Sequence, residues 1–377
     1  MLVAERIKNC FIFLAFCAIL IKTEESEILE TLHFKPGLVT KSSILKDHET
    51  MDDKFYNPND RDGITQLAYI TPWNHKGYKL AVETAHKLTH VSPVWFQVKF
   101  GYGKDKENEC NIEGIHEINR EWISNLTEKN PKIKIVPRIL FDGWSFEDMQ
   151  ILLEDTNFAR RCFNSISNFY SRNQFNGAVV EFYMQALIAL QSLQYKDLMI
   201  EIMQDLSKKF RKLKLSIVYT VPAPLDWNNK PNNLVTPTDY HKILAASDFV
   251  QIMTYDYHGN EPSGVAPYGW FENCIFYLKD NTFKTLAGLN FYGYEFSGGK
   301  LNSIVSDRFL EVLRNKKSIL EFDKKSMEHR LRTESSIIYF PSLSSLELRI
   351  NMAHRYGVGI AIWDYGQGLN YFTNLLV

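Results

Sequence analysis

Phe175-Asn176-Gly177-Ala178-Val179-Val180-Glu181-Phe182-Tyr183 is a short apolar run that ends in one carboxylate and one phenol. Its β-branched and aromatic residues predict a strand. Side chains alternate along a strand, so Val179, Glu181 and Tyr183 would share one face while Ala178, Val180 and Phe182 share the other. One face therefore carries a single acid.

Similar apolar runs recur about every 35 residues, each followed by a stretch of helical period, which is the rhythm of βα units with parallel strands. They predict strands near Gln66–Ile70, Val91–Val98, Lys134–Phe141, Gly177–Tyr183, Leu215–Thr220, Phe249–Tyr255, Thr285–Phe291 and Val358–Trp363. Eight such units predict an α/β fold, a closed (β/α)8 TIM barrel. An open doubly wound sheet would need a glycine-rich phosphate turn after its first strand, and Thr71-Pro72-Trp73-Asn74 stands there instead. Between the seventh and eighth strands, residues 297–342 exceed what one helix requires. Leu320-Glu321-Phe322-Asp323 and Ile337-Ile338-Tyr339-Phe340 in that stretch predict a small β-hairpin insertion.

Active sites of such barrels gather where the strands end, at the C-terminal face. Trp73, Trp144, Trp227 and Trp363 follow or close the first, third, fifth and eighth strands, and Tyr183, Tyr257, Tyr292 and Tyr294 fall at other strand ends. Any one of these rings could be core, but so many at one end suit a groove that stacks flat, amphipathic sugar rings.

The opening stretch resembles the fourth strand of the family-18 glycoside hydrolases, whose pattern is Asp-x-x-Asp-x-Asp-x-Glu with the last Glu as proton donor. Laid on it, Asn176 and Val179 take the first two Asp positions, Glu181 the third, and Tyr183 the position of the acid. Met253-Thr254-Tyr255-Asp256-Tyr257-His258-Gly259 is similar to that family's sixth-strand Met-x-Tyr-Asp motif, Gly288-Leu289-Asn290-Phe291-Tyr292-Gly293 to its seventh strand, and Ala361-Ile362-Trp363-Asp364 to its eighth. The resemblance covers residues 64–377. It implies that Tyr255 and Asp256 contact the sugar and that Trp363 forms the floor of the cleavage subsite. It also implies substrate-assisted hydrolysis, in which the enzyme supplies one acid to protonate the leaving oxygen. A phenol with a reference pKa of about 10 is a poor donor near neutral pH. Glu181 lies two residues earlier, roughly 6.6 Å along the strand, too far for one methylene to make up. A lone strand Glu is otherwise a surface or satisfied core carboxylate. On strand three, Pro137-Arg138-Ile139-Leu140-Phe141-Asp142-Gly143-Trp144 departs from the family's Ser-x-Gly-Gly turn.

Gly37-Leu38-Val39, Thr71-Pro72-Trp73-Asn74, Ser92-Pro93-Val94-Trp95, Val136-Pro137-Arg138, Val179-Val180-Glu181 and Gly366-Gln367-Gly368-Leu369 resemble a narrower, non-hydrolytic branch of that family. The expectation is a catalytically inactive chitinase-like lectin for chitooligosaccharide-type glycans, with other amino sugars or microbial glycans as further ligands. Its saccharide contacts would be Trp73, Trp144, Glu181, Tyr183, Met253, Tyr255, Asp256, Tyr292 and Trp363. The alternatives are a weak hydrolase with relocated acids, drawn from Asp142, Asp256 and Asp364, and a receptor-recognised scaffold with a vestigial groove. The resemblance implies a scavenger-type receptor as partner and a secreted or lysosomal setting.

The 43 basic and 44 acidic residues of this 377-residue chain give a net charge of -1, which offers nothing to nucleic acid. Arg6 and Lys8 precede an apolar stretch, Phe11–Ile21, that predicts a signal peptide over residues 1–22 and no membrane span once it is removed. Lys22 and its neighbours make no clean small-x-small cleavage site, so an uncleaved anchor is the alternative. Residues 23–60 read as a polar N-terminal extension and 61–377 as the barrel domain. Asn125-Leu126-Thr127 is a glycosylation sequon for the secretory route. Cys10 and Cys17 would leave with the signal. Of Cys110, Cys162 and Cys274 at most one pair can form; Cys162 and Cys274 read as buried helical thiols and Cys110 as exposed.

No cofactor motif or metal spacing is expected: His86 and His90 have the i, i+4 spacing of a zinc pair, but a strand signal begins between them. His258 is a rim candidate. Arg160-Arg161 and Lys208-Lys209 read as solvated helix charges, and the Gly-x-Ser-x-Gly elbow of serine hydrolases is missing.

Overall fold

The structure is a computed structural model that describes residues 27–54, 56, 64–103, 107–257, 259, 261–278 and 282–377. The expected signal peptide, Asn57–Asp60 and His258 lie outside the described residues.

Eight parallel strand positions form the barrel, with Gln66–Ile70, Gly177–Glu181, Ser216–Pro222, Phe249–Met253, Thr285–Asn290 and Gly359–Trp363 as positions one and four to eight. Positions two and three are each broken in two: His90–Pro93 and Phe96–Tyr102, then Lys134–Ile135 and Arg138–Phe141. The breaks follow from Pro93 and Pro137, which have no N–H to give a ladder. The lower halves pair through Val91↔Ile135 and the upper halves through Phe96↔Ile139. The first strand pairs with the eighth through Leu67↔Ala361, so the ring closes. Helices cover its outside, among them Phe146–Glu154, Thr156–Arg172 and Pro237–Ala246, which start on side-chain caps from Ser145, Asp155 and Thr236.

Alternation sorts the core into two layers. Ala178 and Val180 pack outward into the large cluster under the helices. Val179 points inward with Leu67, Tyr69, Val94, Val136, Val218, Leu286 and Ala361. The inward layer fills the lower barrel, which leaves only the mouth open to solvent.

The fourth strand ends at Glu181, two residues short of Tyr183, which continued alternation would have carried inward. Phe182 has φ -112° and ψ -48°, and a helix runs from Tyr183 to Leu190. Tyr183 is therefore a helical residue, and the run of strand formers concealed the change of backbone.

The insertion is larger than a hairpin. Gly293–Ser297, Lys300–Ile304, Ile319–Asp323, Glu328–Arg332 and Ser336–Tyr339 make an antiparallel sheet of five strands, with a helix over Ser306–Arg314. The two segments expected to pair with each other are both strands, but Glu328–Arg332 lies between them. Its Glu-His-Arg-Leu-Arg sequence reads as polar, whereas Glu328, His329 and Leu331 are buried.

The expected N-terminal extension is packed onto the body from residue 27. Leu32, Val39 and Ile44 are buried, and the Lys41–Asp47 helix starts on a Thr40–Ser43 capping box. The backbone N–H groups of His33 and Phe34 donate to the Glu347 carboxylate, each at 2.9 Å. Three apolar anchors in a charged segment left little pattern to read.

Cys110 and Cys162 form a disulfide, which ties the outer strand Asn108–Glu113 to the Thr156–Arg172 helix. This corrects the expectation of a buried Cys162 thiol: the strand folds back over the helix and brings the two Cα atoms to 5.2 Å. Cys274 is a buried free thiol, and burial pushes its pKa up to about 12.

Candidate functional site

At the barrel mouth the upper inward positions of five strands converge. Arg138 on strand three donates through Nε to Glu181 on strand four at 2.6 Å. Its guanidinium carbon lies 5.7 Å from the centre of the Trp363 ring at the end of strand eight. Tyr69 on strand one meets Trp363 edge-on at 5.2 Å and donates its hydroxyl to Gln251 on strand six. Gln251 in turn donates to the Tyr255 hydroxyl at 3.1 Å. Burial, then the neighbouring acidic groups Tyr255 and Glu181, raise the Tyr69 phenol well above its ordinary pKa. Burial and the Asp256 charge do the same for Tyr255. Both phenols remain protonated donors.

Asp256 follows at the rim in a left-handed backbone conformation, φ +60°, rarely held by a non-glycine residue. Its Oδ1 accepts from the hydroxyls of both Tyr292 and Tyr294, and its side chain is otherwise exposed to the mouth. The loop that carries it is held from the insertion. Tyr257 N donates to Val265 O at 2.9 Å, and Val265 N and Ala266 N each donate to Glu328 at 3.0 Å. Glu328 is buried against Arg349; burial raises the carboxyl pKa and lowers that of the guanidinium. The strand motif thus gains its geometry from a residue more than 70 positions away in sequence.

Asp256, Tyr292, Tyr294, Trp363, Gln367 and residues 303–305 line a cavity of about 310 Å³. Trp73, 65% exposed, stands at the rim of a neighbouring cavity of about 630 Å³ with Gln97, Glu113 and His116. On the other side, Tyr257 and the insertion border a third of about 950 Å³.

Of the expected contacts, Glu181, Tyr255, Asp256, Tyr292 and Trp363 come together here, and the half-buried Met253 closes the end of strand six. Trp73 stands apart on the rim. Two expected contacts fall elsewhere. Trp144 is buried among Phe100, Phe141 and Phe158 and donates its indole N–H to Val98 O at 2.7 Å, so its ring is core rather than platform. Tyr183 is fully buried and donates its hydroxyl to Leu234 O at 2.8 Å; burial and the nearby Asp239 and Asp197 charges raise its pKa.

Of the three acids considered for relocation, Asp142 is paired with Lys99. Asp364 is fully buried, accepting from Thr71 and from Gly366 N at 2.9 Å; burial raises its pKa. Asp256 is the one that faces the mouth. Asn125 is an exposed residue within the Arg120–Lys129 helix, His86 sits in a short 3-10 turn, and His90 begins strand two. Among the described residues no group of three or more His, Cys, Asp or Glu side chains could hold a metal ion, and no helix is long and apolar enough to cross a membrane.

Arg138, Tyr69, Gln251 and Gln367 were not anticipated as site residues. Arg138 could have been found, because a charge at an inward position of a buried strand demands a partner. Gln367 lies beyond its strand, where no periodicity applies.

The fold matches those of solved chitinases and related enzymes. The chitinase from Chromobacterium violaceum ATCC 12472 is 19% identical with a TM-score of 0.69, over 83% of this chain and 98% of that one. The spore cortex-lytic enzyme SleL of Bacillus megaterium QM B1551 is also 19% identical, with a TM-score of 0.66 over 83% of this chain and 72% of that one. The Group IV chitinase of Ostrinia furnacalis is 14% identical, with a TM-score of 0.65 over 83% and 98%. At these identities the likeness speaks to the fold. A curated relative, the "Uncharacterized glycosylase YvbX" of Bacillus subtilis (strain 168), is 26% identical over 185 residues, 43% of this chain. The matched region spans about half of that relative, 51% of its length. Residues 65–368 match the family described as Glycosyl hydrolases family 18, and the chain belongs to it.

Proposed function

We propose that this protein binds oligosaccharides of the chitooligosaccharide type without hydrolysing them, as a chitinase-like lectin. The observation that carries this reading is the state of strand four. Its one acid, Glu181, is engaged by Arg138, and Tyr183, which the resemblance sets at the donor position, is a buried helical phenol directed at Leu234. No carboxyl group is offered there to a leaving oxygen, while Trp363, Tyr255 and Asp256 provide a stacking surface and polar contacts.

The segments from Gly37-Leu38-Val39 to Gly366-Gln367-Gly368-Leu369 support placing the chain near chitinase domain-containing protein 1, the stabilin-1-interacting chitinase-like protein. By that likeness a scavenger-type receptor is the proposed protein partner. A secretory route, to the outside or the lysosome, is supported by the N-terminal Phe11–Ile21 stretch and by the Cys110–Cys162 disulfide, a bond that persists in oxidising compartments.

The test is a glycan-binding screen paired with a hydrolysis assay on each bound species. Binding without release of new reducing ends supports the lectin. Turnover abolished by Asp256→Asn would favour the relocated-acid reading, which the exposure of Asp256 keeps in contention. A screen without any ligand would favour the scaffold.

A further inference from the structure

The helix Tyr183–Leu190 carries no polar side chain apart from Gln185 and the Tyr183 hydroxyl. A helix apolar on every side belongs inside a protein. This one is only half inside: Tyr183, Ala186, Leu187 and Leu190 are buried, while Ile188 is 56% exposed. The elements packed around it extend the exposed apolar surface instead of covering it. Phe146 at the start of the Phe146–Glu154 helix, Leu193 in the Leu193–Tyr195 turn and Leu198 in the Lys196–Lys212 helix are all exposed. Phe146 and Tyr195 meet ring to ring at 6.1 Å, and the first and last of these helices pack against each other and their neighbours, so the side chains form one surface. A single exposed apolar side chain needs no explanation, but a cluster on adjoining elements marks an interaction site. None of these residues lines the cavities at the barrel mouth.

The border of the patch is acidic. Glu147 and Asp148 directly follow Phe146, Asp197 precedes Leu198, and Glu201 stands one helical turn after Asp197. The cations beside them are already committed, Lys196 to Asp239 at 2.6 Å and Lys242 to Asp197 at 2.7 Å. An apolar surface edged by carboxylates discriminates among occupants. A second copy of this chain would set acid against acid, and an anionic membrane surface would be repelled for the same reason. A segment with an apolar row flanked by basic side chains satisfies both features, and rows of side chains on helices leave grooves that accept another helix.

We propose that this surface docks a partner protein through an amphipathic helix whose apolar face is flanked by lysines or arginines. The proposal stands apart from the saccharide-binding reading.

Its test is a fluorescence-anisotropy titration of the whole protein with a labelled Leu–Lys peptide of helical period, about 14 residues long, and with its Leu–Glu counterpart. The Leu–Lys peptide is expected to bind, and the Leu–Glu peptide to bind at least about tenfold more weakly. Ile188→Asp should weaken the Leu–Lys peptide by about tenfold through the lost apolar contact, and Glu147→Lys/Glu201→Lys by a similar factor through reversed charge. Raised salt should weaken it as well. These positions are exposed, so thermal midpoints should hold; if Ile188→Asp lowers its own, the charge-reversed pair carries the test. Absence of binding, equal binding of the two peptides, or binding indifferent to both variants overturns the proposal. So does a dimer in sedimentation that Ile188→Asp dissociates, which would assign the patch to a second copy, or adsorption to phosphatidylserine vesicles that the same variant abolishes.

Discussion

Arg138 and Glu181 form one ion pair across strands three and four, and its guanidinium lies over Trp363, the ring the resemblance assigns as sugar floor. The side chains are 12% and 19% exposed, so each charge depends on the other for its solvation. Removing one partner leaves a half-buried charge; removing both does not. Glu181→Ala should destabilise the protein by about 1–3 kcal/mol, with the double variant Arg138→Ala/Glu181→Ala costing less than the sum of the singles. Urea unfolding of the four proteins measures the coupling, and strict additivity would contradict the pairing.

Tyr183→Phe removes one hydrogen bond to a backbone carbonyl and leaves the ring packed. It should cost about 1 kcal/mol of stability and leave saccharide affinity unchanged. A large loss of affinity, measured by calorimetry, would place the phenol in the groove after all.

Trp73 and Trp144 should separate cleanly. Trp73→Ala alters an exposed ring, so stability should stay within about 0.5 kcal/mol while affinity for longer oligosaccharides falls. Trp144→Ala opens a cavity among Phe100, Phe141 and Phe158 and should cost about 3–5 kcal/mol. Thermal unfolding and calorimetry on both variants distinguish platform from core, and equal destabilisation would erase the distinction.

That contrast also marks what the sequence could tell. The eight strand positions were legible because alternation and apolar runs repeat, and the closing pair Leu67↔Ala361 follows once the ring is assumed. Trp363, Tyr255 and Asp256 were legible as members of motifs. Trp144 was not, because a ring after a strand has the same sequence signature whether it turns inward or outward. Tyr183 was misread because strand propensity continues through Phe182 while the backbone has already turned helical. The insertion sheet was underestimated because its central strand, Glu328–Arg332, buries charged residues whose partners lie far off in sequence: Glu328 meets Arg349, Val265 and Ala266. The Cys110–Cys162 pair depended on a strand folding back, which spacing does not encode.

His90 and His329 give the fold an acid-sensitive window. Burial is the main cause that lowers each pKa to about 4, aided by Lys134 at His90 and opposed by the Pro36 carbonyl at His329. The unfolded chain takes up these protons near pH 6.5, the folded one near 4. Stability is thus fully present above pH 6.5 and falls as pH drops through that window, by up to about 3 kcal/mol for each histidine. Urea midpoints at pH 7.5 and 4.5 measure the slope, and His90→Leu should flatten it. A pH-independent midpoint would contradict the burial of both imidazoles.

The most direct single measurement is to incubate the mature protein with N-acetylated and de-N-acetylated glucosamine oligomers, following ligand binding and the appearance of new reducing ends in the same samples. Binding that weakens markedly in Trp363→Ala, with no new reducing ends at any time point, is the predicted result. Steady release of shorter oligomers by the unaltered protein would contradict it.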